Sequence, residues 1–218
     1  MLEAYLGEYA SGKSEVAVNR AVDLSRNEKV TLVDLDLVEP FYTLRPLKEK
    51  LESERLTLIT TNKEDVFGLG ERGGYLKPEM KSALRCKGTV IFDVGYGIKG
   101  AQTLNLVEGA CQARNLRCFV VINIKRPLTS TVPLICEFVR QLGRVDALIN
   151  NSHLGEKTDC DVVCKGALLV SEAAHILGLP VEATIALEEI ARELGERDPC
   201  GNPVRPLLKR YMRDAYWT

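Results

Sequence analysis

The chain has 218 residues, of which 45% are hydrophobic and 27% charged, with a formal net charge of −1. That size and mixture fit one large domain with a sizeable core rather than a disordered or fibrous chain. The near-neutral charge gives no global reason to expect nucleic acid or an anionic membrane as partner, and no apolar run approaches the roughly 20 residues of a membrane span.

Short apolar runs recur along the chain. They are LEAYL (2–6), VTLVD (30–34), LTLIT (56–60), TVIFDV (89–94), CFVVINI (118–124), DALIN (146–150) and PVEATIAL (180–187). Most are rich in Val, Ile and Thr and nearly continuous, the pattern of strands buried on both faces of a parallel sheet. Between them, residues 13–26, 99–115, 129–143 and 161–178 carry apolar residues at helical spacing, and the last two stop at Gly143 and Gly178, as helix ends commonly do. Strands alternating with helices predict an α/β fold, a doubly wound and mostly parallel sheet with helices on both faces. There is no internal repeat and no linker, so residues 1–218 are expected to form one domain, with 198–218 as a C-terminal helical tail.

The seven cysteines show no disulfide spacing, and the first residues, MLEAYLGEYASGK, have neither a basic nor an apolar leader region. Both features suggest a reducing, cytoplasmic setting. Cys160 and Cys164 are four apart and read as helix packing residues. The glycine-rich stretch 68–80, with Arg72, reads as a flexible loop rather than a lid.

In a doubly wound sheet, ligands gather at the carboxyl ends of the strands. The first predicted strand is followed there by GEYASGKS. Gly7, Gly12, Lys13 and Ser14 satisfy G-x-x-x-x-G-K-S/T at every fixed position, between a predicted strand and a predicted helix. Such a loop turns backbone N–H groups around phosphates, and the helix adds its positive end. Gly7, Glu8, Tyr9, Ala10, Ser11, Gly12, Lys13, Ser14 and Glu15 are therefore the expected nucleotide-binding segment. Ala10 occupies a place read as unconstrained. Lys13 is expected on the β and γ phosphates, and Ser14 in the shell of a Mg²⁺ ion. Asp34 and Asp36 follow the second strand and Asp93 ends the fourth. Asp34 and Asp93 are candidate metal-shell residues, and Lys13, Asp34 and Asp36 candidate catalytic residues, with the division among the acids open.

The order of phosphate loop, D-x-D after the second strand, FDVG and ALINN resembles the MinD/ParA and cobyrinic-acid-synthase-like branch of P-loop NTPases, over roughly residues 1 to 190. The resemblance implies that Asn150 or Asn151 contacts the nucleotide base and that residues after GLPVEATI border it. No N-K-x-D motif follows a strand, so ATP is expected rather than GTP. Positioning ATPases of this branch carry a lysine where this chain has Glu8, whose carboxylate is expected to point away from phosphate. The resemblance then implies a Mg-dependent ATPase, binding ATP and ADP, that serves as a nucleotide switch or maturation factor for a partner protein, with a homodimer left open. The alternative is a carboxylate-activating enzyme similar to dethiobiotin synthetase or cobyrinic acid synthase. A membrane or nucleoid positioning role is disfavoured by Glu8 and by the charge, and a membrane anchor in the tail is not expected.

Overall fold

Val, Ile and Leu dominate runs too short for helices, and their backbone groups are satisfied only by pairing with neighbouring strands. In the computed structural model, which describes residues 1–37, 44–61 and 76–215, eight strands do this. They are β1 (Leu2–Gly7), β2 (Val30–Leu35), β3 (Leu56–Ile59), β4 (Thr89–Val94), β5 (Leu116–Ile122), β6 (Ala147–Asn150), β7 (Val181–Leu187) and β8 (Val204–Leu207). The sheet order is β3-β2-β4-β1-β5-β6-β7-β8, with all pairs parallel. The connections include helices α1 (Lys13–Ser25), α2 (Lys48–Leu51), α3 (Pro78–Lys81), α4 (Gly97–Gln102), α5 (Val132–Gln141), α6 (Cys160–Leu177) and α7 (Glu188–Leu194).

Alternate residues along each strand serve opposite faces. Leu32, Leu58 and Ile91 pack with Val16, Ala17 and Ala21 of α1 and with Leu47 and Leu51. Val33, Leu35, Phe92 and Val120 pack on the other face with Ile135 and Phe138 of α5 and Ala173 of α6. Each fully buried aliphatic side chain contributes roughly 1.5–3 kcal/mol, which is why these runs contain so few polar residues. The register places Asp34 of β2 directly opposite Asp93 of β4, so the two acids share the carboxyl edge of the sheet.

Two expected helices differ from the observed chain path. In the 99–115 stretch, α4 ends at Gln102; a 3-10 turn follows at Thr103–Leu106, and Gly109 takes a positive φ of 83°. Leu104, Val107 and Ala110 still reach the core through this tighter path, but Leu106 is exposed. The expected helical tail 198–218 is the larger correction. Pro203 and Pro206 oppose a helix there. The segment instead supplies edge strand β8 beside β7 and a 3-10 turn at Met212–Ala215. An edge strand tolerates Pro206 because one side of its backbone needs no ladder partner. Residues 68–75 of the glycine-rich stretch, Arg72 among them, lie outside the described residues.

Helix α6 approaches β6 closely at Gly166, where an added Cβ would stand 2.2 Å from Ser152 Oγ and 2.4 Å from Asn150 Oδ1. Gly166→Ala is therefore expected to lower stability by about 1–3 kcal/mol, the usual cost of overpacking, as a shift of the urea midpoint with the slope unchanged.

Candidate functional site

The first connection of the sheet is the loop from β1 into α1. Gly12 precedes the helix with φ 84°, and α1 has no side-chain cap. Its first-turn N–H groups are thus left for a ligand. Both fixed glycines of the loop are required sterically. A Cβ on Gly7 would lie 2.8 Å from the Val121 carbonyl oxygen, and one on Gly12 would lie 2.3 Å from Asn151 Nδ2. Ala10 departs from the sequence reading. It takes φ 52°, a left-handed conformation that costs a non-glycine residue about 1 kcal/mol, so this position is constrained after all.

Lys13 lies buried and pairs with Asp36 at 3.3 Å. Asp34 accepts from the Asp36 backbone N–H on one oxygen, and from the Leu44 N–H and the Thr60 hydroxyl on the other. Burial pushes Asp34 up to about 6, against these hydrogen bonds and with Asp36 adding to the rise. Asp93 is pushed up to about 7 by burial, with Lys13 opposing. The nearby Ser14 hydroxyl also works to lower the Asp93 carboxyl group, whose Oδ1 is buried without a hydrogen-bond partner, as is Ser11 Oγ in the loop. Buried polar atoms left this way usually await a ligand, ion or water.

A cavity of about 250 Å³ opens beside the loop. Of the expected residues, Tyr9 to Glu15, Asp36 and Asn151 line it. Gly7, Glu8, Asp34, Asp93 and Asn150 lie outside that lining. Glu8 turns from the loop to accept from the Leu128 N–H and the Thr129 hydroxyl. Asn150 is fully buried and spends its amide on the Val163 carbonyl and Thr184, while its oxygen accepts from the Ser152 N–H. Asn151 donates to the Ser11 carbonyl at 2.8 Å, and so braces the loop itself. Tyr9 meets Tyr96 edge-on, ring centroids 5.3 Å apart; the pair links the loop to the segment after Asp93.

The far half of the cavity is more apolar, with Val163, Ile185, Ala186, Leu187, Leu207 and Met212. His153 also lines it, held near 4 by burial and by Arg126 and Arg210. Leu207, Arg210, Met212 and Arg213 belong to the C-terminal segment, and the sequence reading missed them. The available signal was Asn19, a polar residue on the otherwise apolar buried face of α1. Its side-chain oxygen accepts from the Leu208 and Lys209 N–H groups.

This loop, its strand and its helix decide the architecture. The fold is that of P-loop NTPases. Among solved structures, the chain is similar to the cell division protein FtsY of Thermotoga maritima, at 14% identity, 100% coverage of this chain, 69% of that one and a TM-score of 0.55. A putative plasmid partition protein of Borrelia burgdorferi bound to AMPPNP aligns at 16% identity over 98% of this chain and 95% of that one, with a TM-score of 0.47. No protein-family model and no curated protein matches the chain. Among the described residues, no helix is long and apolar enough to cross a membrane.

Among the described residues, no group of three or more His, Cys, Asp or Glu is arranged to hold a metal unaided. Mg²⁺ is commonly held by one or two protein groups together with phosphate oxygens. The free Oδ1 of Asp93 beside Ser14 suits such an ion.

Two outcomes are expected. Ala10→Gly relieves the left-handed strain, partly offset by a freer unfolded chain, and should raise stability by up to about 1 kcal/mol in urea denaturation. The second concerns pH. A carboxyl group whose folded value is about 7 binds more protons folded than unfolded above its ordinary range. Its burial therefore costs nothing below about pH 4, and the cost grows as pH rises towards 7 and then levels off. His153 works in the opposite sense, its contribution being lost as pH falls from about 6.5 towards 4. The clean measurement is the difference between Asp93→Asn and the unaltered chain without metal. The variant should gain stability progressively between pH 4 and 7, reaching on the order of a few kcal/mol at pH 8. A flat difference would refute the buried-acid assignment.

Proposed function

We propose that the chain is a Mg-dependent ATPase whose nucleotide state changes a surface read by a partner protein. The observation carrying this reading is the buried, partnerless Asp93 oxygen next to Ser14 and Lys13, at a phosphate loop whose helix end is left open. In this reading the triphosphate occupies the loop and the purine the apolar far half of the cavity. Ser14 and Asp93 would hold Mg²⁺, which would supply neutralisation of phosphate charge. Lys13 exchanges Asp36 for the β and γ phosphates. A water attacks the γ-phosphorus, the bond to the β–γ bridging oxygen breaks, and ADP and phosphate leave. Asp36, released by Lys13, is placed to orient that water and take its proton. Asp34, whose two oxygens already accept three protein hydrogen bonds, fixes the strand end and positions Asp36.

The switch reading draws on a second observation. Tyr9, Ile98, Leu128 and Leu154 are exposed apolar side chains, each in a segment leaving the carboxyl edge of a strand. The four therefore share the edge of the sheet that carries the phosphate loop, where a partner would meet the nucleotide. ATP rather than GTP is assigned because no N-K-x-D segment follows a strand.

The test is titration with a fluorescent ATP analogue, together with phosphate release. Lys13→Ala should weaken binding by about a hundredfold or more, from the loss of charge-assisted contacts, and abolish hydrolysis. Unchanged tight binding and turnover in that variant would sink the assignment, and GTP displacing the analogue better than ATP would overturn the base preference.

A further inference from the structure

The C-terminal segment is held on the helix that follows the phosphate loop. Glu15, directly after Ser14, accepts from the Tyr211 N–H at 2.6 Å and the Met212 N–H at 3.0 Å. One turn along, Asn19 accepts from the Leu208 and Lys209 N–H groups at 2.8 and 3.1 Å and donates to the Lys209 carbonyl at 2.9 Å. Five hydrogen bonds thus join the first turns of α1 to residues about 190 positions away. Arg213 adds an ion pair to Glu156, in the turn before α6. Residues 207–213 consequently form a strap along one wall of the cavity.

The strap brings Arg210 into that wall. The guanidinium makes no ion pair with any described residue, although Glu15 and His153 both feel its charge. Those two neighbours bracket its place. Glu15 is in the first helical turn, and His153 Nε2 lies 3.3 Å from the point where a Cβ on Gly12 would stand. A cation there faces the part of a ligand that leaves the loop towards the apolar half of the cavity. The loop's own cation, Lys13, is placed at the other end, beside Asp36.

We infer that Arg210 binds the α-phosphate of the nucleotide, so that the C-terminal strap is part of the nucleotide site rather than packing outside it. This rests on the ATP-binding reading above. A guanidinium suits the role because its planar fork can donate two hydrogen bonds to one phosphate and never loses its charge. Arg210 is then a specificity-determining residue for phosphorylated nucleosides, and Glu15 is the positioning residue that sets the strap at the right height.

The experiment is titration of the full chain with ATP and with ADP, in Mg²⁺, for the unaltered protein, Arg210→Ala, Arg210→Lys and, as a control outside the strap and the cavity, the exposed Lys165→Ala. Arg210→Ala should lose about tenfold affinity or more, the range for one charged hydrogen-bonding contact. The loss should be equal for ATP and ADP, since both carry the α-phosphate. Arg210→Lys should recover part of it, and Lys165→Ala should bind as the unaltered chain does. Should Arg210→Ala fail to fold, Arg210→Gln carries the same expectation. Unchanged affinity in a folded Arg210 variant overturns the inference while leaving ATP binding intact. A loss confined to ATP places the residue on the γ-phosphate and overturns the α-phosphate assignment. Failure of the unaltered chain to bind either nucleotide overturns the ATP-binding reading and this inference with it.

Discussion

The arrangement depends on one contact, the buried pair between Lys13 and Asp36. Three carboxyl groups, Asp34, Asp36 and Asp93, meet where two neighbouring parallel strands end, and all three are nearly inaccessible to water. Buried negative charge is tolerated only with a cation, a proton or dense hydrogen bonding, and each acid uses a different means. Asp36 has the lysine. Asp34 has three donors. Asp93 has Ser14 and a carboxyl group raised to about 7, which leaves it near the midpoint of titration at neutral pH. The cluster is therefore short of positive charge by design of its register, because Asp34 and Asp93 are direct partners across β2 and β4. A phosphate alone would deepen that shortage by competing for Lys13. A phosphate arriving with a divalent cation would relieve it.

Residues that satisfy a local rule were readable from the sequence. Strands β1 to β7 were legible because a strand covered on both faces must be nearly all apolar, and few other segments are. The phosphate loop was legible because Gly7 and Gly12 have steric reasons that act over a few residues. The outward turn of Glu8 followed from charge repulsion. Ala10 was misread because nothing in the sequence shows that its backbone must enter the left-handed region. Asn150 and Asn151 were recognised as special; Asn150 spends both amide hydrogens within the protein, whereas Asn151 spends one on Ser11 and lines the cavity. One closes the joint between β6, α6 and β7, and the other braces Ser11. A side chain amide at a strand end serves a ligand or the scaffold equally well, and only the neighbours decide which.

The C-terminal segment shows the other limit. Apolar and basic residues at helical spacing suggested a helix, but spacing is a weak argument where two prolines and a waiting sheet edge compete with it. Val204–Leu207 pairs with β7 because the edge strand would otherwise leave a row of unpaired backbone groups. The residues beyond it are held by Glu15 and Asn19, whose partners are remote in sequence, so no local pattern could reveal the contact.

Helix α1 therefore has three duties at successive positions. Ser14 faces Asp93, Glu15 and Asn19 hold the strap, and Arg20 pairs with the buried Glu3 of β1. Since these side chains share one rigid helix, its first turn cannot move towards or away from a ligand without moving the strap or breaking its hydrogen bonds. Glu15 pays for this position with a carboxyl group raised by burial, opposed by the two N–H groups it accepts from. The loop half of the cavity is built mainly from seven contiguous residues, Tyr9 to Glu15, and could be recognised by eye. The other half is assembled from residues 151 to 213, from four separate segments brought together only by the sheet. That difference in construction explains why the loop half was legible in the sequence, whereas the apolar half emerges only from the fold.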